Sequence, residues 1–341
     1  MKQEQIRDVL CNIGMQVCKR LFHSLQSQSL EERSAVHAES ADDTIYRIDR
    51  DVEDILVSAL DAKSAELGGI VLIAEGVGEE GQPPVFPQGA HADRAALRII
   101  IDPIDGTRGL MYDKRSAFFL AGSAPNRGDS TTLQDIEVAA MVELPTTRSR
   151  LSDTLWAIRG QGVGGFTRDL ETGERTLRPI APSRAKSILG GFAQISRFFP
   201  PGRHILAQIE EEMIETLFPD APLGRAILFE DQYISTGGQL YEILMGRDRF
   251  IADLRGGLYR QMSREGRSPG LICHPYDVCA CLIGVEAGVI ITGGDGKPLD
   301  APLDTTSPVD WIAYANPYIR AEVEPVLRAL LDRYGFYHNK S

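Results

Sequence analysis

Apolar side chains recur every three or four residues in two early segments of the chain, residues 6–21 and residues 52–60. A helix with 3.6 residues per turn collects positions of this spacing on one face, so both segments are predicted to be amphipathic helices. Two short, uninterrupted apolar runs follow at residues 70–73 and 97–101. Runs of this length are typical of strands that are buried on both faces. We therefore expect the N-terminal helices to lie against a sheet.

The remainder of the first half is also predicted to form strands, separated by loops rich in Gly and Pro. The candidate strands are residues 117–120, 136–144 and 155–158. Residues 76–89 contain many Gly and Pro residues and are predicted to form an exposed loop. A glycine-rich segment at residues 160–165 is expected to end this half of the chain.

The second half alternates between candidate strands and helices, which favours an α/β layer. The predicted elements are strands at residues 226–229, 250–252 and 289–292 and helices at residues 240–245, 276–287 and 323–334. Gly246 and Gly288 follow the first two helices, and glycine is a common helix stop. Residues 177–187 are expected to connect two domains, which we predict to be residues 1–185 and residues 186–341.

Composition and charge limit the classes of partner. The chain has 341 residues, of which 43% are hydrophobic and 25% charged, as is typical of a folded globular protein. Its formal net charge of −12 disfavours binding to a nucleic acid polymer or to an anionic membrane. The N-terminal residues have no apolar segment like that of a signal peptide, and the most apolar stretch, residues 271–292, contains acidic residues. A cytoplasmic protein is therefore expected.

The cysteines lie in apolar segments with helical spacing, and their number is odd. They are Cys11, Cys18, Cys273, Cys279 and Cys281. This pattern favours reduced thiols in the core over disulfides or a zinc site.

The strongest chemical signal begins at Asp102, where the sequence reads Asp-Pro-Ile-Asp-Gly-Thr directly after a predicted buried strand. The strand would deliver two carboxylates three residues apart, Pro103 would fix the turn, and Gly106 would let a ligand approach the backbone closely. Hard oxygen ligands on a rigid strand end suit Mg²⁺, which also binds substrate phosphate. The alternative is an ordinary turn in which Asp105 caps a following helix.

The spacing of this segment separates it from other acidic or phosphate-binding motifs. It lacks the alternating acidic residues of an EF-hand calcium loop, and two residues rather than one separate its aspartates, unlike the haloacid dehalogenase pattern. No Gly-x-x-x-x-Gly-Lys-Ser/Thr loop of the ordinary NTPases occurs in the sequence.

Several segments, in the expected order, resemble motifs of the inositol monophosphatase superfamily, which also contains fructose-1,6-bisphosphatases and nucleotide 3′-phosphate phosphatases. The family motif Asp-Pro-x-Asp-Gly-Thr/Ser is matched from Asp102 to Thr107. Upstream, Thr44 to Asp49 is similar to the Thr-x-x-Asp region, and the strand that ends at Glu75 is similar to a family strand ending in Glu. Downstream, Tyr-Asp-Val-Cys-Ala at residues 276–280 is similar to Trp-Asp-x-x-Ala. The resemblance extends over roughly residues 5–330.

The resemblance implies an α+β or α/β fold, a layered αβαβα sandwich of the sugar-phosphatase type, with two or three Mg²⁺ ions bound. In that arrangement Asp102 bridges two ions. Glu75 and the carbonyl of Ile104 complete the ligands of the first ion, and Asp105 with Asp277 completes those of the second. Most of these ligands lie in the predicted N-terminal domain.

Further catalytic and phosphate-binding roles follow from the same resemblance. Thr107 orients the attacking water, Asp49 accepts a hydrogen bond behind it, and Glu75 counts among the catalytic groups. The amides of Gly106 and Thr107, at the start of a helix, hold phosphate oxygens. Arg108 is placed to contact an anionic substrate.

Some assignments have alternatives in the residues themselves. Asp49 is also a plausible helix cap. Glu79, in a loop, is a reserve candidate for the first-ion glutamate, and Glu75 is favoured because a strand end positions a ligand more rigidly. Asp277 is expected in the first turn of a helix, where an acidic side chain is commonly just a partner of the helix dipole. Tyr276, in place of the usual Trp, is expected to pack.

The substrate pocket is less well specified by the sequence. Thr236 and Gly237 lie in a small-residue turn similar to the one that lines the sugar or inositol pocket, although an ordinary capped helix start fits equally well. Asp253 resembles the acidic residue that binds ring hydroxyls. An insertion at residues 254–273 carries four arginines, Arg255, Arg260, Arg264 and Arg267, which would either reach a second anionic group or lie in a solvated loop.

The sequence thus predicts a Mg²⁺-dependent phosphomonoesterase that hydrolyses a small phosphorylated metabolite, such as a polyol or sugar phosphate, and is inhibited by Li⁺. Fructose-1,6-bisphosphatase or nucleotide 3′-phosphatase activity is the alternative within the superfamily. A non-catalytic protein that binds Mg²⁺ and a phosphorylated metabolite is the alternative of another class. A homodimer is expected from the resemblance.

Overall fold

The fold is described from a computed structural model, which covers residues 2–33, 36–39, 44–78, 82–221, 224–267 and 270–337. For residues 30, 33, 36–39 and 44–51 the description is of the backbone.

Three of the described helices match the helices predicted at residues 6–21, 52–60 and 323–334, and each begins earlier than predicted. In chain order the described helices are α1 (Lys2–Ser27), α2 (Leu30–Arg33), α3 (Arg47–Leu67), α4 (Thr107–Met111), α5 (Arg203–Leu217), α6 (Thr236–Leu244), α7 (Arg255–Arg264), α8 (Cys281–Glu286) and α9 (Pro317–Arg333).

The described strands form two main sheets and one small two-stranded sheet. In chain order they are β1 (Val36–Glu39), β2 (Thr44–Tyr46), β3 (Ile70–Ala74), β4 (Val85–Phe86), β5 (Leu97–Asp105), β6 (Ala117–Pro125), β7 (Val138–Leu144), β8 (Leu151–Ile158), β9 (Gly162–Asp169), β10 (Arg175–Leu177), β11 (Phe192–Ile195), β12 (Asp248–Asp253), β13 (Ile290–Thr292) and β14 (Trp311–Tyr314). The larger sheet has the order β10-β9-β8-β7-β6-β5-β3-β4, and the smaller has the order β11-β12-β14-β13.

The elements stack in five layers because each sheet buries apolar side chains on both faces. Helices α1 and α3 cover one face of the larger sheet, α6 and α8 lie between the two sheets, and α5 and α9 cover the outer face of the smaller sheet. In the larger sheet, β3 and β5 are parallel, and every residue of β3 is buried, as the continuous apolar run predicted. The expected layered αβαβα architecture is confirmed.

Two glycines explain an element that the sequence analysis did not predict. Residues 160–165 were expected to end the first half, but β9 begins at Gly162 and pairs along its length with β8. A Cβ at Gly164 would come within 2.5 Å of the Trp156 ring, and one at Gly165 within 2.7 Å of Leu155. These glycines leave room for large cross-strand neighbours, which is why a glycine-rich segment forms a strand here.

Two predictions in the second half are wrong in detail. The helix expected at residues 276–287 begins at Cys281, and residues 275–280 form turns. The strand expected at residues 226–229 is reduced to a single bridge between Phe192 and Phe229. Four elements of this half were not predicted, because the pattern of apolar runs did not distinguish them from loops: α5, α7, β11 and β14.

The cysteines agree with the expectation of free thiols in the core. Each cysteine is free in the structure, four are buried, and Cys11 is half-buried. Burial raises the pKa of the Cys18 thiol to about 12, so this thiol stays protonated near neutral pH. Within the described ranges, we find no helix with the length and apolarity needed to cross a bilayer.

Candidate metal centre

Strand β5 ends in the acidic motif, and its pairing with β6 fixes where the two aspartates lie. The register is regular up to Asp102, shifts, and resumes at Asp105, which pairs with Phe118. Asp102 is 1% exposed and Asp105 is 6% exposed. Gly106 then adopts a φ of 92°, in the left-handed region, and α4 begins at the next residue. The buried strand and the glycine turn thus hold both carboxylates at a rigid strand end.

Asp277 joins these two aspartates although it is far from them in the sequence. One carboxylate oxygen from each of Asp102, Asp105 and Asp277 lies within 4.8 Å of the other two. Asp277 lies in the turns that precede α8, not in a first helical turn, and the backbone N–H of His274 donates to its Oδ2 over 2.6 Å. The structure therefore brings together three of the predicted metal ligands.

The amino end of α6 holds the Asp105 carboxylate in place. Asp105 Oδ2 accepts hydrogen bonds from the Ser235 hydroxyl at 2.5 Å and the Gly237 amide at 2.6 Å, and Oδ1 accepts from the Thr236 amide at 3.2 Å. Ser235 is also the N-cap of α6, because its Oγ accepts from the Gly238 amide. With that contact made, the Ser235 hydrogen points to Asp105, and all three donors favour an ionised carboxylate.

The charges of the cluster fit a bound divalent cation. Burial raises the pKa of the Asp102 carboxyl well above its usual range, and Glu75, Asp105 and Asp277 add to the rise by like-charge repulsion. Burial and Asp105 act in the same direction on the pKa of Asp277. For Asp105 the three donors oppose burial, and its pKa is raised to about 6. Buried carboxylates that repel one another are stabilised by a cation between them, and oxygen ligands of this kind are those that Mg²⁺ prefers.

Glu75 comes directly after β3 and lies beside this cluster. Its charge contributes to the raised pKa values of Asp102 and Asp277. The Tyr276 hydroxyl donates to Glu75 Oε1 over 3.3 Å. Glu79, the reserve candidate, lies outside the described residues.

The backbone between the two motif aspartates is held by short local hydrogen bonds. The Ile104 amide donates to Asp102 Oδ1 at 3.0 Å, and the Ile104 carbonyl accepts from the Thr107 hydroxyl at 2.7 Å. A carbonyl oxygen has a second lone pair, so the Ile104 carbonyl can also bind a cation. The Thr107 hydroxyl oxygen, having given its hydrogen to Ile104, can accept one from a water.

Among the described side chains, those of the other predicted site residues do not belong to the three-aspartate cluster. The side chain of Asp49, in α3, is outside the description. Arg108 lies on α4 and is exposed. Thr236 and Gly237 are buried, and their amides are engaged with Asp105, so any contact with substrate would have to use other atoms.

Asp253 is fully buried and bound by an arginine. Its two carboxylate oxygens accept from the guanidinium of Arg255, with the closest approach 2.6 Å, and Arg255 also stacks on Phe198 and Phe199. A direct contact between Asp253 and substrate would require Arg255 to move. The role of Asp253 in binding ring hydroxyls thus stays a prediction.

Two arginines of the insertion bind buried carboxylates of this chain, which neither expected alternative described, and the other two are exposed. Arg255 binds Asp253, and Arg260 binds the buried carboxylate of Asp310. Arg264 and Arg267 are exposed at the end of α7 and just beyond it. The insertion therefore offers little support for recognition of a second phosphate.

A separate cavity close to the acidic motif was not predicted. It has a volume of about 440 Å³. Its lining includes Arg197, Phe198, Arg203, His204, Glu230 and Ile234. Ile234 precedes the helix cap Ser235, and its carbonyl lies 3.5 Å from the point that a Cβ of Gly106 would occupy. Ile234 thus lines the cavity and also lies close to the turn that follows the two motif aspartates.

The fold and the site together define a layered αβαβα protein with a candidate divalent-cation centre at one end of the larger sheet. Residues 2–116 match the sequence model of the inositol monophosphatase family. A search against curated proteins found no match. The match to the family model confirms the resemblance over those residues.

Solved structures with the same fold span nearly the whole chain. A protein described as an inositol monophosphatase–fructose-1,6-bisphosphatase is 17% identical, with a TM-score of 0.62, and the match covers 94% of this chain and 98% of that one. Fructose-1,6-bisphosphatase of Leishmania major is 17% identical, with a TM-score of 0.62 and coverage of 96% and 92%. Inositol monophosphatase from an Anabaena (Nostoc) species is 14% identical, with a TM-score of 0.59 and coverage of 97% of each chain. At these identities, what they share with this chain is the fold.

Proposed function

We propose that this protein is a Mg²⁺-dependent phosphomonoesterase that acts on a small polyol or sugar phosphate. The observation that carries the proposal is the meeting of Asp102, Asp105 and Asp277 within 4.8 Å, from segments that are far apart in the chain. Members of the matched family and the proteins of the same fold are named as phosphatases, which supports a hydrolase. Glu75 and the Ile104 carbonyl complete the proposed ligand set for two or three ions.

The chain's own residues would position the reactants. Divalent cations, when bound, would polarise the phosphoryl group and lower the pKa of water. Thr107 would accept a hydrogen bond from the attacking water, with Asp49 and Glu75 as further catalytic groups. The amides of Gly106 and Thr107, which open α4 and so have no intrahelical acceptor, would donate to phosphate oxygens. Arg108, exposed on the same helix, would contact the anionic substrate.

A substrate panel with and without metal tests this proposal. We expect phosphate release from inositol 1-phosphate, fructose 1,6-bisphosphate or a nucleotide 3′-phosphate with Mg²⁺, loss of activity in excess EDTA, and recovery on adding Mg²⁺. Li⁺ is expected to inhibit. Binding of these esters measured by calorimetry, without phosphate release, would contradict the proposal and favour a non-catalytic binding protein.

The cavity beside the motif favours a second candidate function, hydrolysis of a substrate that carries two anionic groups. Arg197 is already paired with Glu210 and Glu230. Arg203 and His204, by contrast, are exposed at the start of α5, whose N-cap is Gly202. A guanidinium and an imidazole at a helix start can bind a phosphate or carboxylate. This arrangement would suit a bisphosphate better than a neutral polyol.

Replacing Arg203 distinguishes the two candidates. If the cavity binds a second phosphate, Arg203→Gln raises the KM for fructose 1,6-bisphosphate about tenfold, the usual effect of losing a charge-assisted hydrogen bond. The KM for inositol 1-phosphate should stay the same. Arg264→Gln, an exposed arginine of α7, is the matched control and should change neither value. Equal KM values for bisphosphate in wild type and Arg203→Gln would remove the second candidate.

We also propose, from the resemblance, a cytoplasmic homodimer whose partner is a small phosphorylated metabolite. Sedimentation of the purified protein tests the dimer directly.

A further inference from the structure

Tyr276 makes a contact that its expected packing role does not explain. The family motif has Trp at this position, and the ring of Tyr276 packs against the core between the two sheets as expected. Its hydroxyl, however, reaches the Glu75 carboxylate and donates to Oε1 over 3.3 Å. Tyr276 and Glu75 are 201 residues apart in the sequence. The tyrosine therefore links the downstream motif to the strand end that carries the glutamate.

The Tyr276 ring is held in place by its neighbours. It stacks on His274 with the ring centroids 5.5 Å apart and the planes inclined by 25°. His274 Nδ1 lies 3.1 Å from the Ser307 carbonyl, and a carbonyl only accepts, so Nδ1 carries a hydrogen. The His274 amide also holds Asp277. The same short segment thus fixes Asp277 through the backbone and Glu75 through the tyrosine hydroxyl.

We propose that Tyr276 is a positioning residue that orients Glu75 for cation binding; this inference rests on the proposed function. A glutamate side chain is flexible, and ordering it on binding a cation costs entropy. The Tyr276 hydroxyl orders it beforehand and occupies only one of its lone pairs, so the carboxylate can still coordinate a cation. Groups that hold a metal ligand in this way commonly change metal affinity by about 10–100-fold when they are removed.

Tyr276→Phe tests the proposal by removing the hydroxyl and keeping the ring. Binding of Mn²⁺, used as the probe, is measured by electron paramagnetic resonance on the intact protein. We expect the dissociation constant of the tightest site to rise about tenfold. The Mg²⁺ concentration for half-maximal activity should rise by the same factor, with kcat recovered at saturating Mg²⁺ and the KM for substrate unchanged. A merely structural role of the ring would not weaken cation binding while leaving the saturated kcat and the KM for substrate unchanged.

Two controls make the test specific. Tyr334→Phe removes a tyrosine bond to another glutamate, Glu212, on the outer helices, and should leave Mn²⁺ binding as in the wild type. In a Glu75→Gln background, Tyr276→Phe should weaken binding no further, because the two residues act as one unit. Unchanged Mn²⁺ affinity in Tyr276→Phe alone, or equal weakening in both backgrounds, would overturn this proposal and leave the proposed function standing. Absence of Mn²⁺ binding to the wild type would overturn both.

Discussion

Asp105→Asn is expected to lower kcat/KM by at least about 10³-fold, because it removes one negative charge from the proposed three-aspartate cation centre. The side chain of the new asparagine would also place its NH₂ group against another hydrogen-bond donor. Oδ1 accepts from the Thr236 amide, and Oδ2 accepts from the Gly237 amide and the Ser235 hydroxyl, so either orientation of the asparagine meets an N–H or O–H group. Steady-state kinetics across the substrate panel measures the effect, and Mn²⁺ binding reports the cation centre independently of turnover.

The matched control is Asp332→Asn, which makes the same chemical change at an exposed position of α9. It should leave kcat/KM and Mn²⁺ binding within about twofold of the wild type, since exposed charges contribute little. Thermal unfolding of both variants checks that each is folded. Full turnover by a folded Asp105→Asn protein would show that Asp105 is not a metal ligand.

Gly237→Ala is expected to lower kcat about 100-fold and to cost about 1–3 kcal/mol of unfolding free energy. A Cβ at this position would lie 2.9 Å from Asp105 Oδ2, 2.9 Å from Leu120 Cδ2 and 2.9 Å from Phe118 Cβ. Alanine in place of glycine inside a helix normally stabilises by about 1 kcal/mol. The crowding outweighs that gain, because Phe118 belongs to the buried sheet and the carboxylate has to shift instead.

Gly109→Ala is the matched glycine control. Gly109 lies in α4, and its added Cβ would have its nearest neighbour at 3.8 Å, an ordinary contact. This variant should keep wild-type activity and be as stable or slightly more stable in urea denaturation. If Gly237→Ala keeps wild-type kcat and the same Mg²⁺ requirement, the close approach of α6 to Asp105 does not position the carboxylate.

The strand and turn that carry the first two aspartates were predictable because they are local. The apolar run that becomes β5 needs only its own residues to be recognised, and the Gly106 turn follows from the freedom of glycine at positive φ. The alternative, in which Asp105 caps the helix that follows, does not describe the structure, since its carboxylate is bound by α6 instead.

The grouping of Asp277 with the other aspartates was predicted by the resemblance and not by the local sequence pattern. Among its own neighbours it is one acidic residue in turns before a helix, and the local pattern placed the start of that helix five residues too early, since α8 begins at Cys281. The resemblance grouped Asp277 with the aspartates of β5, and the structure does bring them together. For the insertion arginines the sequence left two alternatives open, and the choice depended on partners that the sequence could not show, such as Asp310 for Arg260.

The sequence by itself determined the amphipathic helices, the buried central strands and the acidic motif, because each depends on residues that are close together in the chain. Tertiary structure alone decided that Ser235 and Gly237 hold Asp105, that Tyr276 reaches Glu75, and that a cavity with Arg203 lies beside the motif. The hydrogen bonds to Asp105 and Glu75 join segments more than 100 residues apart, so they depend on how the two sheets stack on α6 and α8. No local pattern of hydrophobic and polar residues encodes that stacking.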